Sequence, residues 1–366
     1  MGGALRHLTG FLPALAASDQ ESEYRVLVRE SIPISVNSAN ISLERLPDAV
    51  AGQIGARLKH DILSLPRRLS GEGFQVVVSL TNFGPIWTSA RHLLFQRNAL
   101  YFHNEWLVQN GIRGRVDAQL RLHLAHEAMK RAHWIVTPSL SMARAIQRRF
   151  PKLPENKFRV LYHGFEARLL EEPLCDRLNS AFDPDSIRLL YPTHPAPHKG
   201  FEVLLGAIAE LKRRGVKAKL YATFDRSETP NVVAGYEAEA RRLSVSDNVV
   251  FLGHVPQNQM AGVYSACSMM VYPSLVESFG FSMLEAIACR VPIVAAATDV
   301  NREICGDAAL FYPTHDSKTM ADQIETALLT DQRRKLIDAC ASRMSAFDWG
   351  WNRYAREFKT MVCQAA

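Results

Sequence analysis

Two short runs hold the side chains best suited to chemistry. The first is YPSLVESFGFSMLE, residues 272–285. An apolar strand is expected to end at Tyr272, a loop carrying Gly280 follows, and a helix is expected from about Phe281. Backbone N–H groups in such a loop and helix start point at whatever lies above the strand end, which suits a phosphate. Glu277, on the loop, is placed to accept hydrogen bonds from sugar hydroxyls. Glu285, about one turn into the helix, has the reach for a ribose in the same site. No third carboxylate or histidine accompanies them, so no catalytic metal is expected.

The second run is HPAPHKG, residues 194–200, just after an apolar stretch at 187–191. Lys199 precedes a helical pattern and offers a point charge to a diphosphate. Gly200 keeps the turn open. Neither GxxxxGK[ST] nor GxGxxG occurs, which argues against ATP hydrolysis and nicotinamide chemistry. The six cysteines show no CxxC or Cys/His ligand spacing and read as reduced thiols in a cytosolic protein.

These runs need a scaffold, and the chain supplies one. Short apolar runs alternate with helical periodicity, the pattern of parallel α/β units. Strands are expected at 25–29, 74–79, 99–103, 134–137 and 159–162 in the first half. In the second half they are expected at 187–191, 218–222, 249–252, 268–272 and 292–296. A length of 366 residues with 47% hydrophobic and 22% charged residues fits two globular domains and excludes wholesale disorder. The expected division is 1–165, a linker at 166–186, a second domain at 187–347, and a helix at 348–366 crossing back. No stretch is apolar enough for a membrane span, and Arg6, His7 and Pro13 interrupt what would be a signal peptide's apolar segment. That segment reads as an amphipathic helix.

The chain opens Met1-Gly2-Gly3 directly into this helical pattern. A glycine turn of this kind ordinarily follows a first strand and lets backbone approach a phosphate. Either a truncated start or a first domain lacking its central strand is expected. Charge is unevenly shared. Residues 1–170 hold 22 Lys/Arg and 13 Asp/Glu, whereas 171–366 hold 21 and 24. The basic half suggests an anionic partner. Arg144, Arg148, Arg149 and Lys152, with Arg113, Arg115, Arg121, Lys130 and Arg131, suit an anionic membrane surface or a solvated face. Aromatic residues are not interleaved with them, which argues against nucleic acid.

With these motifs in order, the second half resembles the donor-binding domain of family 4 (group 1) glycosyltransferases, which have the GT-B fold. The pair Glu277 and Glu285 matches their E-x7-E motif, and the resemblance covers roughly residues 187–347. It implies two Rossmann-like domains facing across a cleft, a UDP- or GDP-sugar donor, and a glycan or lipid-linked glycan acceptor. It implies that Glu277 holds the donor sugar hydroxyls, with Ser278 beside it and the backbone of Phe279 and Gly280 near sugar and phosphate. Glu285 would bind the ribose, Lys199 the diphosphate, and Gly253, His254 and Val255 would line the base pocket. The family often has an arginine five residues before the lysine; here that position is His194, and either His194 or His198 would take its role.

In the first domain the resemblance implies a place for His103, at a strand end near the reacting sugar. Gly2 and Gly3 would form the phosphate-approach turn. The implied reaction is transfer with retention, with no metal or other cofactor, in cell-surface polysaccharide synthesis at the inner membrane face. Two rivals stand beside it: a nucleotide-sugar epimerase of the same fold, and a catalytically silent scaffold that has kept the site.

Overall fold

The computed structural model describes residues 3–48, 59–103, 111–166, 174–227 and 229–366. Its contacts divide the chain into two compact units. One comprises residues up to Glu166 together with Trp349–Ala366; the other runs up to Asp348.

In the first unit, helix α1 (Gly3–Ser18) is followed by strands β1 (Tyr24–Arg29) and β2 (Ile41–Leu46), which pair in parallel. Helix α2 (Leu65–Glu72) leads into a second parallel sheet of order β3-β4-β5-β6: Val76–Ser79, Arg91–Phe95, Trp134–Thr137 and Phe158–Val160. Helices α3 (Gly111–Arg131) and α4 (Leu140–Arg149) are the crossovers on either side of β5. Both sheets share one core with α1: Phe11, Leu12 and Leu15 pack with Val28, Leu93, Phe95 and Val136. The core is closed by the last helix of the chain, Trp351–Ala365, whose Tyr354, Phe358 and Met361 fall at helical spacing on its buried face. The carboxyl-terminal helix thus packs back into the first unit.

Two sequence expectations change here. Residues 99–103 are not a strand: Ala99–Phe102 is a 3₁₀ turn, started by Asn98, whose side chain accepts the Leu100 N–H. An Asx cap offers the backbone a local alternative to a ladder, and it prevails over the apolar run. The strand lies earlier, at β4, where Leu93 and Leu94 are wholly buried. Gly3 opens α1, and among the described residues no strand precedes it; Gly2 lies outside the described residues.

The second unit is a six-stranded parallel sheet of order β12-β11-β10-β7-β8-β9. In chain order these are β7 (Ile187–Tyr191), β8 (Ala218–Ala222), β9 (Val249–Phe251), β10 (Met269–Tyr272), β11 (Ile293–Ala296) and β12 (Ala309–Tyr312). Read from β9 inward, this is the doubly wound order 3-2-1-4-5-6, with its reversal between β7 and β10. The four residues of β10 and of β11 are all buried, which accounts for their unbroken apolar runs. Helices α5 (Phe201–Arg213), α6 (Pro230–Arg242), α7 (Met260–Ala266), α8 (Phe281–Ala288), α9 (Asp299–Cys305) and α10 (Ser317–Leu328) connect the strands. Helix α11 (Thr330–Ser345) follows, and the last helix of the chain is α12 (Trp351–Ala365).

The described part of the expected linker, from residue 174, is packed into this unit. Leu178 and Phe182 are buried, and the Asp183 N–H donates to the Tyr221 hydroxyl at 2.8 Å. Their i,i+4 spacing gives that segment an apolar face of its own.

Candidate donor-binding site at the strand reversal

In doubly wound sheets ligands bind beyond the carboxyl ends of the strands, at the point where strand order reverses. Here that point lies above β7 and β10, and the two runs singled out in the sequence are the loops that leave these strands. Residues 192–200 leave β7 and end on a 3₁₀ turn, Pro197–Lys199, before α5. Residues 273–280 leave β10 and end at the start of α8.

The loops are bolted together. The Leu275 N–H donates to the His198 carbonyl at 3.0 Å, and the Ser282 hydroxyl donates to the Pro192 carbonyl at 3.2 Å. The Tyr191 hydroxyl donates to the Lys199 carbonyl at 2.6 Å, and Tyr236 to that of Ala196 at 3.1 Å. Gly200 has φ +64°, and a Cβ there would stand 2.7 Å from the Pro273 carbonyl oxygen. Both facts require glycine. Gly280, at φ +94°, reverses the chain into α8.

Within this frame the Lys199 ammonium donates to Glu277 Oε1 at 2.6 Å. The Tyr272 hydroxyl (2.8 Å) and the Ser274 hydroxyl (2.6 Å) donate to that same oxygen. Burial by itself pushes the Glu277 carboxyl up, but the Lys199 charge and these donors outweigh it, and the net shift is downward. Glu277 is therefore ionised and held still. Behind the loop, the wholly buried Asn301 amide donates to the Ala296 carbonyl at 2.9 Å and reaches that of Ser274 at 3.4 Å.

Glu285, buried in the second turn of α8, accepts from Gln257 Nε2 at 3.0 Å on one oxygen and from the Tyr264 hydroxyl at 2.9 Å on the other. Gln257 lies just beyond Gly253, His254 and Val255, so that segment and Glu285 are brought into one neighbourhood. Val255 is buried and His254 exposed; Gly253 has φ +72°. Ser278 is half-buried. The Phe279 side chain is core, ring to ring with Phe281 at 5.4 Å, which leaves only its backbone available to a ligand. His194 is exposed and its ring lies 6.3 Å from that of the half-buried His198. Burial, then the neighbouring Lys199 charge, pushes His198 down to about 4. It is neutral at neutral pH.

The structure thus gathers Lys199, Glu277, Glu285, Ser278, Phe279, Gly280, His194, His198 and residues 253–255 in the second unit. His103 and Gly3 belong to the first unit. His103 follows the 3₁₀ turn as an extended residue and ends no strand. The hydroxyls of Tyr272, Ser274 and Tyr264, and the amides of Gln257 and Asn301, were missed. Tyr272 and Ser274 stood in the motif itself, at spacings of five and three from Glu277. The other three come from separate elements and carry no local signal. Among the described residues no group of three or more His, Cys, Asp or Glu is arranged to hold a metal, and no helix is long and apolar enough to cross a membrane. All six cysteines are free thiols.

Residues 176–343 match the family model of glycosyl transferases group 1. Among similar curated proteins, D-inositol 3-phosphate glycosyltransferase of Frankia alni is 32% identical over 196 residues, covering 50% of this chain and 47% of that protein. O-antigen chain mannosyltransferase B of Escherichia coli is 33% identical over 100 residues, 27% of this chain and 26% of that protein. The chain spans less than half the length of these relatives. Among solved structures, sucrose-phosphate synthase from Thermosynechococcus elongatus aligns over 99% of this chain and 93% of its own, with TM-score 0.75 and 18% identity. The Anabaena protein HepE in complex with UDP-glucose aligns over 99% and 96%, with TM-score 0.72 and 17% identity. At such identities the likeness shows the fold, an α/β pair of Rossmann-like units of the GT-B type.

Proposed function

Taking residues 176–343 as belonging to the glycosyl transferases group 1 family, we propose that this protein is a glycosyltransferase. It moves a sugar from a nucleotide diphosphate sugar to a glycan or lipid-linked glycan acceptor, with retention of anomeric configuration. The observation that carries the reading is the convergence of Lys199 and Glu277 at the sheet's reversal point, held by donors from β10 and its loop.

In this reading Lys199 and the backbone N–H groups opening α8 bind the diphosphate and stabilise the charge that develops on it as the bond to the sugar breaks. A histidine of the 194–198 loop adds a donor. His198 reaches the complex neutral, and an approaching diphosphate draws its pKa upward. Glu277 orients the sugar through its hydroxyls, and Glu285 holds the ribose beside the base-lining residues 253–255. The acceptor binds the first unit, to which His103 belongs. The charge is met by protein groups alone, so the reaction requires neither a metal nor another cofactor.

The HepE and trehalose-6-phosphate structures carry UDP or a UDP-linked sugar, which supports a uridine donor over guanosine. Relatives named as transferases support transfer over epimerisation. The basic excess of the first half supports an anionic acceptor met at the inner membrane face, in cell-surface polysaccharide synthesis. A thermal-shift panel of UDP- and GDP-sugars tests the donor, since ligand at a hundred times Kd stabilises the native state by about 2.7 kcal/mol. A shift that Lys199→Ala removes is the expected result. No shift with any donor would sink the reading and favour a silent scaffold.

A further inference from the structure

Six large apolar side chains stand exposed among the described residues, and four of them gather on one side of the first unit. Helices α3 and α4 flank β5 in a sheet whose strands follow chain order from β3 to β6, so right-handed crossovers place both on one side of it. Leu122 and Met129 of α3 pack there with Met142 and Ile146 of α4, and the His126 ring stacks on that of Phe150 at 4.1 Å. The other side of each helix faces outward. On α3 it carries Val116 (62% exposed) and Leu120 (44%), one turn apart. On α4 it carries Leu140 (40%) and, one turn on, the exposed Arg144. Trp87 (61%) joins them at the carboxyl end of α3, where the Arg131 guanidinium lies over its ring at 4.6 Å.

The same layer holds most of the chain's excess charge. Residues 116–152 contain seven Lys/Arg and two Asp/Glu, a balance of +5 where the whole chain carries +6. Both acids are committed within α3. Asp117 pairs with Arg121 at 2.7 Å, and Glu127 pairs with Lys130 at 2.9 Å and Arg131 at 2.6 Å. From Ala132 to Pro154 the sequence has no acid, so α4 and the turn after it bring no carboxylate of their own. Arg144 and Lys152 are exposed, and neither has a partner among the described residues.

Exposed valine, leucine and tryptophan are unfavourable in water, and beside unpaired cations they select a partner with an apolar interior and an anionic surface. A second copy of this face brings the same positive charge and is repelled. A nucleic acid offers Val116, Leu120 and Leu140 no apolar phase to enter. We infer that the outward face of α3 and α4 docks on an anionic lipid bilayer. Val116, Leu120, Leu140 and Trp87 enter the headgroup layer, and Arg144 and Lys152 meet lipid phosphates. This rests on the membrane-borne acceptor of the proposed function and deepens it by naming the face of the chain that meets the membrane.

The test sediments the full chain with vesicles of pure phosphatidylcholine and of phosphatidylcholine with about one third phosphatidylglycerol. Binding is expected to the mixed vesicles, weakening as salt is raised, with little to the neutral ones. Arg144→Glu with Lys152→Glu should weaken it at least about tenfold, and Val116→Gln with Leu120→Gln at least about fivefold. These positions are exposed, so each pair should leave the melting temperature within about 2 °C. Mixed vesicles should also shield tryptophan fluorescence from acrylamide, and Trp87→Phe should remove most of that shielding. Equal binding to both vesicles, binding that either pair of substitutions leaves unchanged, or shielding that survives Trp87→Phe would each overturn the assignment. So would no binding to any vesicle, which would leave the face to an acidic protein. A UDP thermal shift on the same samples keeps the two readings apart. UDP binding without vesicle binding sinks the docking face alone, and vesicle binding without any donor binding sinks the donor site alone.

Discussion

Glu277 accepts three hydrogen bonds on one carboxylate oxygen, from Lys199, Tyr272 and Ser274. The pair it forms with Lys199 is buried, so removing one partner strands the other. Glu277→Gln is expected to cost about 3 kcal/mol of stability in the second unit, measured by urea denaturation, and to reduce sugar transfer by at least about a hundredfold. The carboxyl's folded pKa lies below its unfolded value near 4.3. Its stabilisation is therefore complete above that value and fades as pH falls through the folded one. Glu277→Gln should flatten this acid limb; an unchanged limb would show that the ion pair does not shape it. His198 has the same sign for a different reason. Its folded pKa of about 4 lies below the ordinary 6.5, so the fold favours the neutral ring. The stability it lends is full above about 6.5 and falls away toward about 4. An NMR titration should find the ring neutral down to about 4 in the free protein, and UDP should move the midpoint upward. A midpoint near 6.5 without ligand would contradict this burial.

At the scale of elements, the loops over β7 and β10 hold the site only because each can press against the other. Gly200→Ala is expected to separate them. Its Cβ would meet backbone at Pro273, not a yielding side chain, and its φ is positive. A loss of about 2–3 kcal/mol with weakened UDP binding should follow, read by denaturation and calorimetry; unchanged UDP affinity would show that the loops do not act as one clamp. These loops were legible in the sequence because buried parallel strands are unbroken apolar runs bounded by turn residues, as around Met269–Tyr272. The first unit was less so. Residues 91–95 and 99–103 both look like short strands, and only the Asn98 cap separates them. Strands β2 and β12 were also overlooked, because Ile41–Leu46 alternates with charge and Ala309–Tyr312 follows a 3₁₀ turn without a clear boundary. Lys199, Glu277 and Glu285 could be read because they sit inside local motifs. Asn301 and Tyr264 could not, since only the folded sheet brings them to those motifs.

On the scale of the whole molecule, the chain makes two cores and crosses between them twice, so that its first and last helices belong to the same unit. Phe11 on α1 meets Tyr354 and Phe358 on α12 at ring distances of 5.1 and 4.8 Å. These aromatic edges tie residues more than 340 positions apart into one core. The proposed donor residues lie in the other core, and the two should respond to damage separately. Phe358→Ala removes a buried ring from the first core and is expected to lower the stability of that unit by about 3–5 kcal/mol. The stabilisation of the second unit by UDP should survive it. Lys199→Ala should do the reverse, leaving the first unit's transition in place while abolishing the UDP effect. Calorimetry of both variants with and without UDP separates the two outcomes. If Phe358→Ala abolished UDP binding at a temperature where the second unit remains folded, the nucleotide site would depend on the first core, and residues 174–348 would not hold a donor by themselves.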